Sequence, residues 1–345
     1  AEQVANWLNL NGIDARAYHG NVLAEGYSDS NQYRLALEDS LLNNGLKVLV
    51  ATSALGMGYD KPDLSFVIHY QAPNSIVAYY QQVGRAGRAI QDALGVLMSG
   101  QEDQAIHAFF RDAAFPTETH AHAILAALET VDGLTTREIE QLSNLRHGQL
   151  EKILKLLSLE NPAPVVKVGQ TWRRTAIAFK MDKQRIAHLT EQREAEWDEM
   201  QRYIHTPMCK MSFLRQALDD SDTTPCGKCS SCRQEQVVDL PVDQTLSHQA
   251  STFLRQAEMT IEPKVQVVSQ AFTTYGFRGS LPLHLRAQPG RVLARWGDAG
   301  WGTLVAQNKH LNHFADELVQ AMVDMIVTRW QPSPFPTWVC CVTSQ

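Results

Sequence analysis

Apolar and polar positions in the first third of the chain follow two alternating periods. Short apolar runs predict strands at residues 15–19, 46–51, 66–70 and 93–98. Helical spacing of apolar residues predicts helices between those strands, at residues 33–42 and 75–84. Short strands that alternate with helices are typical of a parallel sheet covered by helices. We therefore predict an α/β domain over residues 1–115.

Residues 116–180 predict a second domain, in which three helices precede a hairpin. The helices are expected at residues 120–130, 135–142 and 146–159, and the hairpin at residues 165–174. This order is the winged-helix pattern, whose third helix commonly enters a DNA groove. Protein docking is the alternative role of such a domain. The basic residues expected to contact DNA phosphates are Arg146, Lys152, Lys167, Arg173 and Arg174.

Residues 181–240 combine a long charged helix, predicted at residues 182–203, with a cysteine cluster. The cluster has the spacing Cys-x16-Cys-x2-Cys-x2-Cys and comprises Cys209, Cys226, Cys229 and Cys232. Four thiolates complete a tetrahedral shell for Zn²⁺ with no position open for water, so zinc here would be structural. An iron–sulfur cluster and disulfides are the alternatives. We predict a helical zinc-binding module with a further helix at residues 211–218.

The last hundred or so residues carry weaker patterns. Helices are predicted at residues 246–257, 265–271 and 314–330. Glycine, tryptophan and arginine interleave over residues 290–302, which is typical either of a base-stacking surface or of a rigid turn with packed tryptophans. A strand at residues 337–342 would begin a further domain over residues 337–345, and residues 241–336 stay a mixed region of unknown fold.

Composition and charge narrow the class of protein. The chain has a net charge of -6, which excludes a uniformly basic surface but allows a local basic patch for nucleic acid. No run of about 18 apolar residues is present, so no membrane span is predicted. Six cysteines, most of them in one cluster, favour metal binding in a reducing compartment.

Two motifs in the first domain carry the chemistry. They are Ala-Thr-Ser-Ala-Leu-Gly-Met-Gly-Tyr-Asp-Lys-Pro at residues 51–62 and Gln-Gln-Val-Gly-Arg-Ala-Gly-Arg at residues 81–88. Arg85 and Arg88 are expected to point the same way from the first turn of a helix, and guanidinium groups suit phosphate. The two blocks resemble motifs V and VI of superfamily 2 helicases, most closely those of RecQ-family ATP-dependent DNA helicases. The cysteine spacing resembles the RecQ zinc module.

The resemblance implies that residues 1–115 form the second RecA-like lobe of a helicase. Arg88 would be the arginine finger that stabilises charge on the γ-phosphate of ATP, with Arg85 and Gln81 beside it. Gly58 and Asp60 would approach the nucleotide. The segment Tyr18-His19-Gly20 would correspond to motif IV. The residues implied to contact the DNA backbone are His19, Thr52 and Ser53.

The same resemblance implies a larger protein. The chain contains no Gly-x-x-x-x-Gly-Lys-Ser/Thr phosphate loop and no Asp-Glu-x-His motif. We therefore expect a fragment that lacks its first lobe and does not hydrolyse ATP alone. The intact protein would be a bacterial, cytoplasmic and nucleoid-associated helicase, which uses ATP and Mg²⁺ to unwind DNA at duplex junctions with single strands during repair or recombination. The alternative is a non-catalytic DNA-binding or protein-docking module derived from a helicase.

Three features bear on the place of the chain within this family. Ala89-Ile90 follows the arginines where many RecQ proteins have Asp-Gly. The predicted winged helix precedes the zinc module, whereas it follows that module in typical members. The strand predicted at residues 337–342 is similar to the start of the phosphoribosyltransferase-like domain of some bacterial RecQ-like proteins.

Overall fold

Two pairs of parallel strands occupy the region in which the sequence predicts an α/β domain. Strand β1 (Ala15–Tyr18) pairs with β2 (Val48–Ala51), and β3 (Phe66–His69) pairs with β4 (Leu94–Leu97). The described residues divide into two units, the first comprising Ala1–Lys61, Val238–Val265 and Leu281–Gln345, and the second comprising Pro62–Val237 and Gln266–Ser280. This computed structural model describes all 345 residues except 54, 56–58, 101, 144, 146, 236–237, 239–242, 258, 264, 268–274, 277–278, 295–297, 299, 312 and 339–345.

In the first unit, helix α1 (Glu2–Leu10) packs on β1 and β2. Ala5, Ala15 and Ala17 are buried between these elements, because small side chains let the helix approach the strands closely. Helix α2 (Ser30–Leu42) begins at Asp29, whose carboxylate accepts hydrogen bonds from the first main-chain N–H groups of the helix. The strands and the helix predicted here are confirmed, with shifted ends.

In the second unit, helix α3 (Ile76–Val83) follows β3 and begins at Ser75, whose hydroxyl caps it. Helix α4 (Glu102–Asp112) follows β4, and the sequence reading did not predict it. Asp103 fixes the start of α4, because its buried carboxylate accepts hydrogen bonds from the N–H groups of Ala72 and Gly100 at 3.2 and 3.3 Å. The contact between Asp103 and Ala72 joins residues that are distant in the sequence, so a local apolar pattern does not reveal it.

Three helices and three strands surround a separate core within the second unit. The helices are α5 (Glu118–Glu129), α6 (Thr136–Ser143) and α7 (His147–Leu159). Strands β5 (Leu134–Thr135), β6 (Val165–Val168) and β7 (Thr171–Arg174) form an antiparallel sheet in the order β5–β7–β6. The predicted helices and hairpin are confirmed, and β5 is an additional strand that pairs with β7. The fully buried side chains include Ile124, Leu128, Ile139, Leu150, Ile153, Leu154 and Leu157.

Helix α8 (Lys183–His205) packs its C-terminal half on α3 and on α9 (Lys210–Ala217). Tyr79 and Ile76 of α3, Met200 and Tyr203 of α8 and Leu214 of α9 share one buried cluster. Only the C-terminal half of α8 reaches this core, which explains why the N-terminal half is rich in charged residues. A short helix, α10 (Ser230–Arg233), follows α9.

The C-terminal helices are α11 (Gln244–Gln256), α12 (Gly302–His310) and α13 (Asp316–Asp324), which continues as the π-helix Met325–Trp330. Strands β8 (Met259–Ile261) and β11 (Gly290–Val292) pair, as do β9 (Gln266–Val267) and β10 (Gly279–Ser280). The helix predicted from residue 265 is wrong at its start, because distant residues offer β9 a strand partner. The strand predicted at residues 337–342 lies mostly outside the described residues. Among the described helices, none has the length and apolar character to cross a membrane.

Candidate nucleotide, metal and DNA sites

The two motif arginines lie in a turn that follows helix α3. The helix ends at Val83 with Gly84 as its C-cap, and Arg85 and Arg88 come after it. The prediction that they extend from the first turn of a helix is therefore wrong. The N–H of Arg85 still donates a hydrogen bond to the carbonyl of Gln82, in the last turn of α3, at 3.3 Å.

Main-chain hydrogen bonds tie this arginine turn, residues 84–89, to the segment that leads into β3. The N–H of Gly87 donates to the carbonyl of Leu64 at 3.0 Å. The N–H of Ala89 donates to the carbonyl of Pro62 at 2.8 Å. Main-chain hydrogen bonds therefore hold the turn at two points.

Glycine is required at both glycine positions of the arginine turn. A Cβ atom on Gly84 would lie 2.9 Å from the carbonyl oxygen of Tyr80. Gly87 has a φ of +78°, and a Cβ atom there would lie 2.9 Å from the Cβ of Ala93. The Gly-x-x-Gly spacing of the motif thus has a backbone reason, separate from the charge of the arginines.

The side chains of the motif lie at or near the surface. Arg88 is exposed, and its Nε lies 3.4 Å from the carbonyl oxygen of Gly84. Arg85 is half-buried, and Gln81 is exposed on α3. Since the turn is anchored through main-chain atoms, these guanidinium groups can bind phosphate oxygens without loss of the backbone hydrogen bonds.

A partly buried pair that was not predicted from the sequence connects α3 to β3. Oε1 of Gln82 lies 2.9 Å from Nε2 of His69, the last residue of β3. Burial lowers the pKa of His69, so the ring is neutral near pH 7 and donates through Nε2. The ring of His69 also lies 4.9 Å from the ring of Tyr79. The sequence signal for this pair is Gln82, the second glutamine of the motif at residues 81–88.

In the first unit, His19 and Thr52 follow neighbouring parallel strands, as the sequence predicts. The N–H of Thr52 donates to the carbonyl of Tyr18 at 3.0 Å, which extends the ladder between β1 and β2. Nε2 of His19 lies 2.7 Å from the Glu2 carboxylate, which would compete with a DNA phosphate for the ring. Of the other predicted residues in this motif region, Ser53 and Asp60 are exposed and Gly58 lies outside the described residues.

Four sulfur atoms converge where α9 and α10 begin. The Sγ atoms of Cys209, Cys226, Cys229 and Cys232 lie within 4.8 Å of one another. The sulfurs of Cys209 and Cys229 are 3.9 Å apart. A tetrahedron with Zn–S distances of about 2.3 Å has edges of about 3.8 Å, so the donor set fits Zn²⁺.

Hydrogen bonds prepare two of these sulfurs to be thiolates. Burial raises the pKa of Cys209, but hydrogen bonds from Ser212 and Cys226 outweigh burial and lower that pKa to about 5. Burial also opposes the hydrogen bonds at Cys229, and the net effect again lowers the pKa. Burial raises the pKa of Cys232 to about 12, so metal binding would release a proton from this thiol.

Lys210 joins the cysteine cluster to the end of helix α8. Its main-chain N–H donates to Sγ of Cys229 at 3.4 Å. Its Nζ donates to the carbonyls of Tyr203, Ile204 and Thr206, at 2.7, 2.9 and 3.1 Å. Burial lowers the pKa of this ammonium group. The side chain thus satisfies carbonyls that a helix C-terminus leaves without partners.

The basic residues of the hairpin divide into two kinds. Arg173 is exposed, with its Nη2 3.5 Å from the Asp132 carboxylate, and Lys167 is exposed above the Trp172 ring. Arg174 is half-buried, and its Nη1 donates to the carbonyls of Pro164 and Ile177 at 2.8 and 2.7 Å. Arg173 and Lys167 can therefore reach a phosphate, whereas Arg174 stabilises the chain around the hairpin.

The third helix of this region offers one described basic site residue. Lys152 is exposed on α7, and its Nζ lies 3.4 Å from the carbonyl oxygen of Ala113. Arg146 lies outside the described residues. Glu140 and Glu151 flank His147 at the start of the helix, with side-chain contacts of 2.7 and 3.4 Å. The lysines of α7 are Lys152 and Lys155.

Comparisons with known proteins agree with the motif. Residues 1–90 match the model of the family described as helicase conserved C-terminal domain. The chain is 28% identical to the ATP-dependent DNA helicase RecQ of Synechocystis sp. over 245 residues, which is 67% of this chain and 46% of that protein. It is 31% identical to RecQ of Bacillus subtilis over 141 residues, or 41% of this chain and 23% of that protein.

This chain is 28% identical to a solved structure of the RNA helicase Prp28 from Chaetomium thermophilum. The match covers 32% of this chain and 26% of the Prp28 chain, with a TM-score of 0.25. The chain spans about half the length of the Synechocystis protein. That RecQ match extends well beyond the 90 residues of the helicase domain. These similarities support the assignment of the chain to a C-terminal part of a RecQ-family superfamily 2 helicase.

Proposed function

We propose that the chain supplies the second RecA-like lobe and the DNA-binding modules of an ATP-dependent DNA helicase. The observation that carries this proposal is the anchored arginine turn, which presents Arg85 and Arg88 from a fixed backbone. Phosphoryl transfer is accelerated mainly by positioned positive charge, and a misplaced guanidinium contributes little. A turn held by main-chain hydrogen bonds provides such positioning.

Each motif residue has a role in this proposal. Arg88 is the arginine finger toward the γ-phosphate, and Arg85 and Gln81 bind the nucleotide beside it. Gly58 and Asp60 approach the same nucleotide. ATP, with Mg²⁺, supplies the phosphoryl group that is transferred to water, and the opposite lobe supplies the phosphate-binding loop. The chain alone then binds DNA without ATP hydrolysis.

The other modules bind metal and DNA in this proposal. Cys209, Cys226, Cys229 and Cys232 hold one structural Zn²⁺, which fixes the start of α9 and of α10. Residues 116–180 act as a winged helix, a role supported by the order of helices and strands. Arg173, Lys167 and Lys152 contact DNA phosphates, and such contacts carry little sequence information.

The test uses a protein that contains both motor lobes and measures ATP hydrolysis with and without DNA. Arg88→Ala should lower kcat by roughly a thousandfold or more, the usual effect of loss of an arginine finger. Arg16→Ala is the matched control, because Arg16 is half-exposed in β1 and pairs with Asp14 at 2.8 Å. Full activity in Arg88→Ala would contradict the assignment of the arginine finger.

The second candidate function is that of a non-catalytic DNA-binding or protein-docking module. The acidic side chains of Glu140 and Glu151 beside His147 favour it, because they weaken a purely phosphate-binding role for α7. This candidate predicts that the two-lobe protein does not hydrolyse ATP with any DNA. DNA-stimulated hydrolysis that depends on Arg88 would exclude it.

A further inference from the structure

The partly buried pair formed by His69 and Gln82 lies next to the arginine turn and takes no part in either motif role described above. His69 ends β3, and its side chain is only 8% exposed. Its Nε2 lies 2.9 Å from Oε1 of Gln82. A buried polar pair of this kind is costly unless both groups are satisfied, so its position needs a physical reason.

The main chain of Gln82 contacts the arginine turn. Its main-chain carbonyl accepts the hydrogen bond from the N–H of Arg85 at 3.3 Å. The side chain of the same residue is held by His69, so one residue joins the end of β3 to the start of the turn. The far part of the turn bonds to Leu64 and Pro62, which precede β3.

We propose that His69 is a positioning residue for the nucleotide site, acting through Gln82 to fix the arginine turn. The turn is clamped at both ends of one strand: Pro62 and Leu64 hold it before β3, and His69 holds it at the last residue of β3. Loss of the His69 contact frees the last turn of α3, and Arg85 and Arg88 then sample several orientations. The catalytic consequence rests on the function proposed above, whereas the clamp itself does not.

The clamp is tested on the present chain by amide hydrogen exchange at residues 84–89. His69→Ala should speed exchange there by about fivefold, the equilibrium factor expected for one hydrogen bond. His107→Ala is the matched control: this half-buried imidazole bonds to the Ala72 carbonyl at 3.1 Å and stacks on Trp197. Unchanged exchange at residues 84–89 in His69→Ala, or an equal increase in His107→Ala, would overturn the proposal.

The catalytic consequence is tested in a protein with both lobes. His69→Ala should lower kcat for ATP hydrolysis by about tenfold to a hundredfold, with little change in KM, because the arginines act mainly in the transition state. Gln82→Glu keeps an acceptor for His69 and should retain most activity. In an Arg88→Ala background, His69→Ala should cause no further loss.

The outcomes separate the two proposals. Additive losses in the double variant would give His69 a role that does not act through Arg88, and this would contradict positioning. If the unmodified two-lobe protein does not hydrolyse ATP, the proposed function fails, while the exchange measurement still decides whether His69 clamps the turn.

Discussion

The aromatic rings of Tyr79 and Tyr203 lie 5.2 Å apart in the buried cluster that joins α3 to α8. A further ring, that of Phe213 in α9, lies 5.6 Å beyond Tyr203. The N–H of Phe213 donates to the carbonyl of the zinc-ligand candidate Cys209 at 3.0 Å. Helix α3, which precedes the arginine turn, and helix α9, whose N-cap is Cys209, therefore share one packed core.

We expect this tyrosine pair to make the free energy of unfolding depend on pH in the alkaline range. Burial raises the pKa of Tyr79, and burial followed by the proximity of Tyr79 raises the pKa of Tyr203. Above the ordinary tyrosine pKa of 10.0, the folded chain then binds more protons than the unfolded chain. The free energy of unfolding should therefore fall as pH rises above this value.

Denaturant unfolding from about pH 8 to about pH 11 measures that slope. The variant with Tyr79→Phe and Tyr203→Phe should show a weaker dependence on pH than the unmodified chain. Tyr80→Phe is the control, because Tyr80 is 46% exposed in the same helix. Identical slopes in all three proteins would show that the buried pair does not titrate with unfolding.

Metal analysis under reducing conditions should find about one zinc ion per chain, because four converging thiols make one closed site. Cys209→Ser should lower zinc content sharply and reduce helical circular dichroism, since Cys209 is the N-cap of α9. Cys340→Ser, a cysteine outside the cluster, should leave zinc content unchanged. Iron with visible absorption, or a metal-free chain that keeps full helicity, would contradict this prediction.

Substitution of the two neighbouring hairpin arginines by alanine should have different effects. Arg173→Ala should weaken DNA binding and lower the slope of log affinity against log salt by roughly one unit, as for one lost phosphate contact. Arg174→Ala should instead destabilise the fold by about 1–3 kcal/mol, because the carbonyls of Pro164 and Ile177 each lose one hydrogen bond.

Fluorescence anisotropy over a salt series and thermal unfolding separate these effects for the arginine pair. Each variant is the control of the other, since the two residues are adjacent and equally charged. A salt slope that changes with Arg174→Ala but not with Arg173→Ala would show that the assignment of the two roles is reversed.

The core of the region from α5 to β7 should be sensitive to truncation. Ile153→Ala removes a side chain that is 1% exposed and should lower the free energy of unfolding by about 2–5 kcal/mol. Leu159→Ala, at the end of the same helix, removes a side chain that is 72% exposed and should change stability by less than about 0.5 kcal/mol. Equal losses, measured by denaturant unfolding, would contradict the packing of α7.

Local patterns predicted most helices and strands because their apolar faces repeat within a few residues. The hairpin from residues 165 to 174 and the helix from residues 147 to 159 are examples, with ends close to those expected. The helix expected from residue 265 failed because β9 depends on pairing with residues 279–280. Helix α4 was missed, and its Asp103 side chain is held by the N–H of Ala72, a contact between residues distant in the sequence.

The sequence by itself determined the chemistry: two arginines that each follow a glycine, and four cysteines at metal-ligand spacing. Those identities follow from side-chain type and short spacing, which folding does not alter. Only the tertiary structure decided that the arginines follow a helix, that Arg174 binds carbonyls, and that His69 meets Gln82. These features depend on contacts between residues distant along the chain or on the path of the backbone, which local periodicity does not encode.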